Sequence, residues 1–433
     1  MNKDNKIVPK LRFPEFQFSK EWILEPFSEI YSFLGTNSFT RDNLNYRDGN
    51  IKNIHYGDIH TKFNSHFDIT KEIVPFVNLD ITVEKIKEEF FCKEGDIIFA
   101  DASEDLADVG KSIEIIYLNN EKILSGLHTL LARQKDSKLR TGFGGHLFKS
   151  SSIRTQIQKE SQGAKVLGIS ATRLSNISVY YPENKDEQQK IASCLSSLDE
   201  LIAAHTYKLE ALKDHKKGLM QQLFPAEGET VPKLRFKEFE GDGEWVETTL
   251  NKLGNLIGGL TYSPNDIRNE GLLVLRSSNI QNGLIDLNDC VYVTTEVKGA
   301  NLIQPNDILI CVRNGSKSLI GKNAIIPKDI PFATHGAFMT VFRAYQPSFI
   351  FQLFQTDLYS NQVKADLGAT INSINGSNLL KYKFIVPQPN EQQKIANFLS
   401  SIDDEIAAQV QKIEGLKEHK KGLMQGLFPV INE

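Results

Sequence analysis

Gly110-Lys111-Ser112 has the tail of a phosphate-binding loop, in which backbone amides cradle phosphate and a lysine neutralises it. The pattern needs a leading glycine, and Asp105 stands there. A second Gly-Lys, at Gly321-Lys322, is followed by Asn323, so the hydroxyl that would hold Mg2+ is missing too. His55, His60 and His66 fall on an H-x4-H-x5-H spacing without the cysteine or carboxylate partners of a metal site. They read as satisfied or nucleic-acid-facing histidines. Neither G-x-S-x-G nor H-E-x-x-H occurs. There is no Asn-Pro-Pro-aromatic tetrapeptide of the amino-methyltransferase kind and no Pro-Asp dipeptide to open a nuclease motif. The chain reads as non-catalytic by itself.

Binding chemistry is better represented. Polar loops rich in Arg and Asn occur in each half: Arg41, Asn43, Asn45 and Arg47 in the first, Arg268 and then Arg276-Ser277 with Asn279 in the second. Arg and Asn make bidentate hydrogen bonds to guanine and adenine edges, so these residues are candidate DNA contacts. His55-Tyr56 aligns with Arg276-Ser277. The loops Asp101–Gly110 and Arg313–Gly321, the latter with Arg313 and Lys317, follow strand-like runs at equivalent places yet share no sequence. A common scaffold reading two different sequences would look this way.

Those loops need a frame, and the frame is duplicated. Glu187–Pro225 returns as Glu391–Pro429, with 27 of 39 positions identical. Apolar residues recur on a four-three spacing: Ile191, Leu195, Leu198, Ile202, Leu209 and Leu212 in the first copy, Ile395, Leu399, Ile402, Ile406, Ile413 and Leu416 in the second. His205 and Gln409, and Lys216 and Lys420, interrupt the seams. A 3.5-residue period predicts two long helices packed as a coiled coil. Acid at the amino ends, His-Lys-Lys near the carboxyl ends and a terminal proline mark their limits.

A second duplication opens each half: Val8-Pro9-Lys10-Leu11-Arg12-Phe13 and Val231-Pro232-Lys233-Leu234-Arg235-Phe236, each followed shortly by Glu-Trp. Between the landmarks, short β-rich runs bounded by Gly, Asn and Asp predict compact α+β domains. One helix is expected in each, near 143–161 and 348–365. Gly95-Asp96-Ile97 aligns with Asn306-Asp307-Ile308, and Leu130–Arg133 with Thr340–Arg343.

The domain expectation is therefore 1–186, a helix 187–225, 226–390, and a helix 391–433. Tandem copies of one fold favour a pseudo-two-fold arrangement with antiparallel helices. The 433 residues carry a net charge of −4, and the four cysteines (Cys92, Cys194, Cys290, Cys311) form no CxxC pair. Any nucleic-acid binding must be local or shared with basic partners. With no long apolar run and no leader-like start, a reduced cytoplasm is the expected setting.

The doubled E-Q-Q-K-I-A-x-x-L-S-S-[LI]-D, ending H-K-K-G-L-M-Q-x-L-F-P, resembles the specificity subunit of type I restriction–modification enzymes, as does the V-P-K-L-R-F opening followed by Glu-Trp. The resemblance covers nearly the whole chain. It implies two target-recognition domains, each reading one half of a split DNA sequence, and helices that set the spacing and dock two methyltransferase subunits. Two restriction subunits would complete the nuclease. It further implies that S-adenosylmethionine, ATP and Mg2+ are bound by partner subunits and that this chain binds no cofactor. The competing expectation from the repeats alone is a protein-interaction scaffold, two β-rich modules on a coiled-coil rod.

Overall fold

The expected helices run Lys185–Leu223 and Pro389–Leu427, each starting two residues ahead of the repeated Glu. In this computed structural model, residues 7–83, 85–367 and 372–430 are described. All twelve aliphatic seam residues are buried or half-buried, while Tyr207 beside the seam is exposed. Two polar seam positions are answered by acids of the facing helix: Lys216 Nζ donates to Asp403 at 2.6 Å, and Lys420 to Asp199. Early residues of one helix thus meet late residues of the other. The segments run antiparallel.

The chain divides into two compact units that do not follow a simple succession of domain and helix. The first comprises residues 1–205 and 412–433, the second residues 206–411. Each takes the start of one long helix and the end of the other into its own core. In the first unit, Ile191 and Leu195 pack with Leu427, Phe428, Trp22 and Phe143. In the second, Ile395 and Leu399 pack with Leu223, Phe224, Trp245 and Phe349.

This packing explains why the opening motif travels with the helix motif. Arg12 forks onto both oxygens of Glu187 at 2.7 Å, and Arg235 does the same to Glu391 at 2.8 and 2.7 Å. All four side chains are nearly water-excluded, so a bidentate Arg–carboxylate pair is what keeps each buried charge tolerable. Glu187, beyond favouring the helix dipole, is a structural anchor.

In the first unit a five-stranded sheet runs in the order Tyr31–Leu34, Thr129–Gln134, Ile97–Ala100, Ser112–Tyr117, His66–Asp68, the last pair parallel. In the second unit the corresponding sheet has four strands: Gly254–Gly258, Met339–Ala344, Ile308–Cys311, Asn323–Ile325. Each unit adds a smaller four-stranded sheet holding one parallel pair, Lys52–Ile54 with Ile123–Ser125 or Leu272–Leu275 with Ala333–His335. The mixed α+β reading is correct. The Gly95-Asp96/Asn306-Asp307 match marks a turn at positive φ (88° and 69°), with Asp96 and Asp307 taking the forks of Arg133 and Arg343.

Each helix expected within the domains is two helices. Phe143–Leu147 and Ser151–Glu160 are separated by a break at 148–150, Pro347–Leu353 and Asp357–Asp366 by one at 354–356. Ser150 and Thr356 adopt extended backbone before the second helix, the conformation of an N-cap, and this interrupts the apolar periodicity. The Gly-Lys motifs are structural as well. Gly110 and Gly321 sit at φ 63° and 85°, and a Cβ there would meet Ile157 or Val363 of the helix above at 2.5 and 2.9 Å. Only glycine allows that close approach.

Candidate nucleic-acid interface

In the first unit the strand Lys52–Ile54 ends at His55, which caps the helix Tyr56–Thr61 by accepting the Gly57 amide on Nδ1 at 3.2 Å. Three residues after His55, Asp58 is fully buried and its carboxylate takes the Arg41 fork at 2.8 Å on both oxygens. Lys62, one turn later on the helix, pairs with the same carboxylate at 2.9 Å and donates to the Tyr46 hydroxyl at 3.0 Å. Burial alone would raise the Asp58 carboxyl; the Arg41 and Lys62 hydrogen bonds overcome it and hold the group below its usual value. Burial, with the Arg41 charge nearby, lowers His55.

The Tyr56 ring lies against His55 (centroids 4.6 Å apart) and edge-on to His128 (5.3 Å). His128, at positive φ, reaches Asp101 at 3.2 Å, and burial raises the Asp101 carboxyl. The corner is thus a rigid group of arginine, lysine, tyrosine and histidine side chains around one buried acid.

The second unit places Arg276 where the first has His55, at the end of the strand Leu272–Leu275 and before the short helix Ser277–Asn279. Asn279 occupies the Asp58 position and is likewise fully buried. Its Oδ1 accepts the Arg276 amide, and its Nδ2 donates to the carbonyls of Asp286 and Asp289 at 2.9 Å. The Arg276 guanidinium turns to the Asp289 carboxylate at 2.7 Å. Ser277 Oγ accepts from Asn314 at 3.0 Å, which ties this corner to the loop carrying Arg313 and Lys317. Arg313 stacks over the exposed Phe338 ring, 5.6 Å from its centroid.

The residues chosen from sequence therefore divide. Arg41, His55 and Tyr56 come together in one corner; Arg276, Ser277, Asn279 and Arg313 in the other, with Lys317 exposed on the linked loop. Asn43, Asn45 and Asn279 are spent internally: Asn43 completes a capping box with Thr40, Asn45 accepts the Arg47 amide and donates to Asn78, and the buried Asn279 uses its amide on Arg276, Asp286 and Asp289. Arg47 is exposed on the turn that Asn45 closes. Arg268 lies on the edge strand Ile267–Arg268 and donates to the carbonyls of Asn265 and Ile267. Tyr46, Lys62, His128 and Phe338 join these corners without having been chosen as candidates. The available signal was aromatic residues interleaved with cations, the pattern that stacks on bases.

The chain and its fold have known relatives. A family model for the type I restriction modification DNA specificity domain matches residues 31–214 and 242–418. The specificity subunit of the type I restriction enzyme EcoKI from Escherichia coli K12 is 31% identical over 194 residues, 42% of this chain and 41% of that one. The matched stretch thus spans less than half of that relative. The putative type I restriction enzyme MjaX specificity subunit of Methanocaldococcus jannaschii is 27% identical over 378 residues, 84% of this chain and 86% of that one. Among solved structures, the S subunit of a type I restriction–modification system from M. genitalium superposes with a TM-score of 0.60 at 14% identity, covering 98% of this chain and 100% of the other. A second solved structure, from the type I R-M system, gives 0.54 at 15% identity, covering 95% and 98%. The latter two establish the fold.

Proposed function

Because the chain belongs to the type I restriction–modification DNA specificity family, we propose that it is the sequence-reading subunit of such a complex. Each unit reads one half of a bipartite, asymmetric DNA target. The observation that carries this is the pair of corners: equivalent backbone positions hold His55 and Tyr56 in one unit and Arg276 and Ser277 in the other, organised by the buried Asp58 and the buried Asn279 respectively. One scaffold with two sets of polar side chains presents two different hydrogen-bonding surfaces to base edges.

In this reading the chain is non-catalytic. S-adenosylmethionine, ATP and Mg2+ act on partner subunits, two for methylation and two for restriction, in the cytoplasm. The net charge of −4 is then met by basic partners around the duplex. The long helices, 39 residues each and about 58 Å at about 1.5 Å per residue, set the spacing of the half-sites and dock the methyltransferase.

The test is N6-methyladenine mapping in cells carrying the cognate methyltransferase. Arg276→Ala should relax one half-site and spare the other, with a loss of about 1–3 kcal/mol in discrimination. Replacing residues 240–385 by the same segment of another family member should change that half-site outright. An unchanged bipartite motif after this replacement would refute the reading.

A further inference from the structure

Asp199 and Asp403 are equivalent positions on the two long helices, and their surroundings differ. In the second unit Asp403 accepts from Gln352 Nε2 at 2.7 Å as well as from Lys216. Gln352, fully buried near the end of the helix Pro347–Leu353, fastens the long helix to its domain. In the first unit the residue at the Gln352 position is His146, on the helix Phe143–Leu147. There Asp199 Oδ1 is held by Lys420, while Oδ2 is buried and has no hydrogen-bond partner. His146 is fully buried and its Nδ1 is also unpartnered.

His66, from an edge strand that has no counterpart among the described residues of the second unit's sheet, completes the group. Its ring centroid is 4.2 Å from that of His146, and one ligand atom from each of His66, His146 and Asp199 lies within 4.8 Å of the other two. Each imidazole is held by its other face: His66 Nε2 donates to the Gly142 carbonyl at 2.7 Å, and His146 Nε2 meets Ser196 Oγ at 3.1 Å. Anchoring one ring nitrogen so that the other presents its lone pair is how proteins orient metal-ligating histidines. His66 and Asp199 line a cavity of about 590 Å³ together with Asn64, Ser65, Lys149 and Ser196, while His146 lies buried behind it.

We propose that His66, His146 and Asp199 form a divalent transition-metal site in the first unit, selective for Zn2+. Two imidazoles and one carboxylate with an open position are a zinc donor set, and the same set excludes Ca2+ and Mg2+, which require oxygen ligands. The ion does in the first unit what the Gln352 amide does in the second: it clasps the long helix to the recognition domain. Lys420 and Lys149 beside the site weaken it relative to a site without cations.

The test uses the full chain stripped with chelator and titrated with Co2+, then Zn2+. The expected result is one equivalent of Co2+ with ligand-field absorption, displaced by Zn2+, and a higher melting temperature with Zn2+ bound. His146→Gln, which installs the residue the second unit uses at the same place, should fold and bind at least about tenfold more weakly, since even loss of an outer-shell partner costs about 10–100-fold. His66→Asn, on a separate element, should do the same. Absence of stoichiometric binding by the parent chain, or full binding retained by either folded variant, overturns the site.

Discussion

In the first unit the strand Lys52–Ile54 delivers a histidine cap and a buried aspartate; in the second the strand Leu272–Leu275 delivers an arginine and a buried asparagine. Both buried side chains organise the loops around them, by opposite means. Asp58 gathers cations from Arg41 and Lys62, whereas Asn279 donates to two backbone carbonyls. The frames beneath hardly differ: Asp96–Arg133 matches Asp307–Arg343, and Arg12–Glu187 matches Arg235–Glu391. The lesson is that duplication keeps the pairs that hold the chain path and varies those that organise the two corners.

The largest expected effect tests how equal the frames are. Glu187 also accepts from Trp22 Nε1 at 3.3 Å, whereas Trp245 Nε1 is buried without a partner. Arg235→Ala should destabilise by about 3–5 kcal/mol, the cost of leaving a buried charge unpaired. Arg12→Ala should cost about 1 kcal/mol less, because Glu187 keeps one donor. Calorimetric melting of both variants checks the order, and equal losses would mean that the tryptophan bond contributes nothing.

A smaller effect separates the corners. Asp58→Asn preserves shape but removes the charge that holds Arg41 and Lys62, for about 1.5–3 kcal/mol. Denaturant unfolding should locate that loss in the first unit. Methylation mapping should then show weakened reading of only one half-site. Weakening of both half-sites would break the assumed independence of the corners.

The smallest effect is pH-dependent and confined to the first corner. His55 is lowered from its usual 6.5, so its neutral form is favoured on folding. That contribution is complete above about pH 6.5 and is lost as the pH falls below it toward the folded value. Protonation would remove the Nδ1 acceptor from the Gly57 amide. Asp58, lowered from 3.8, contributes above that value and is lost only at more acidic pH. Hydrogen exchange, corrected for intrinsic rates, should therefore show Gly57 losing protection between pH 7 and 5.5. The Arg276 amide, capped by the non-titrating Asn279, should not change.

Much of the fold was legible because its signals are local. The four-three seam, the proline stops and the Gly-Asp or Asn-Asp turn all depend on residues within a few positions of one another. The repeated Arg, Trp and Glu landmarks were legible as repeats, though their meeting in one ion pair was not. Nor was the break after Leu147, since an apolar period continues across it while the backbone does not. Among the chosen polar residues, composition identified the loops but not the partners. Asn43 and Arg41 look alike as candidates, yet Asn43 closes its own turn and Arg41 crosses to Asp58.

By itself, then, the sequence determined the duplication, the two long helices with their seam, and the class of each domain, because periodicity and propensity act over short stretches. Tertiary structure decided which side chains share a site. His66, His146 and Asp199 are separated by tens of residues and lie on a strand, a short helix and a long helix. The H-x4-H-x5-H spacing reads as carrying no metal site; in the fold His55 and His60 lie around Tyr56, while His66 meets His146. Each compact unit also closes one long helix against the other between residues far apart in sequence, 221 positions for Asp199 and Lys420 and 187 for Lys216 and Asp403. Such contacts arise from where buried surfaces meet, and no local spacing encodes that.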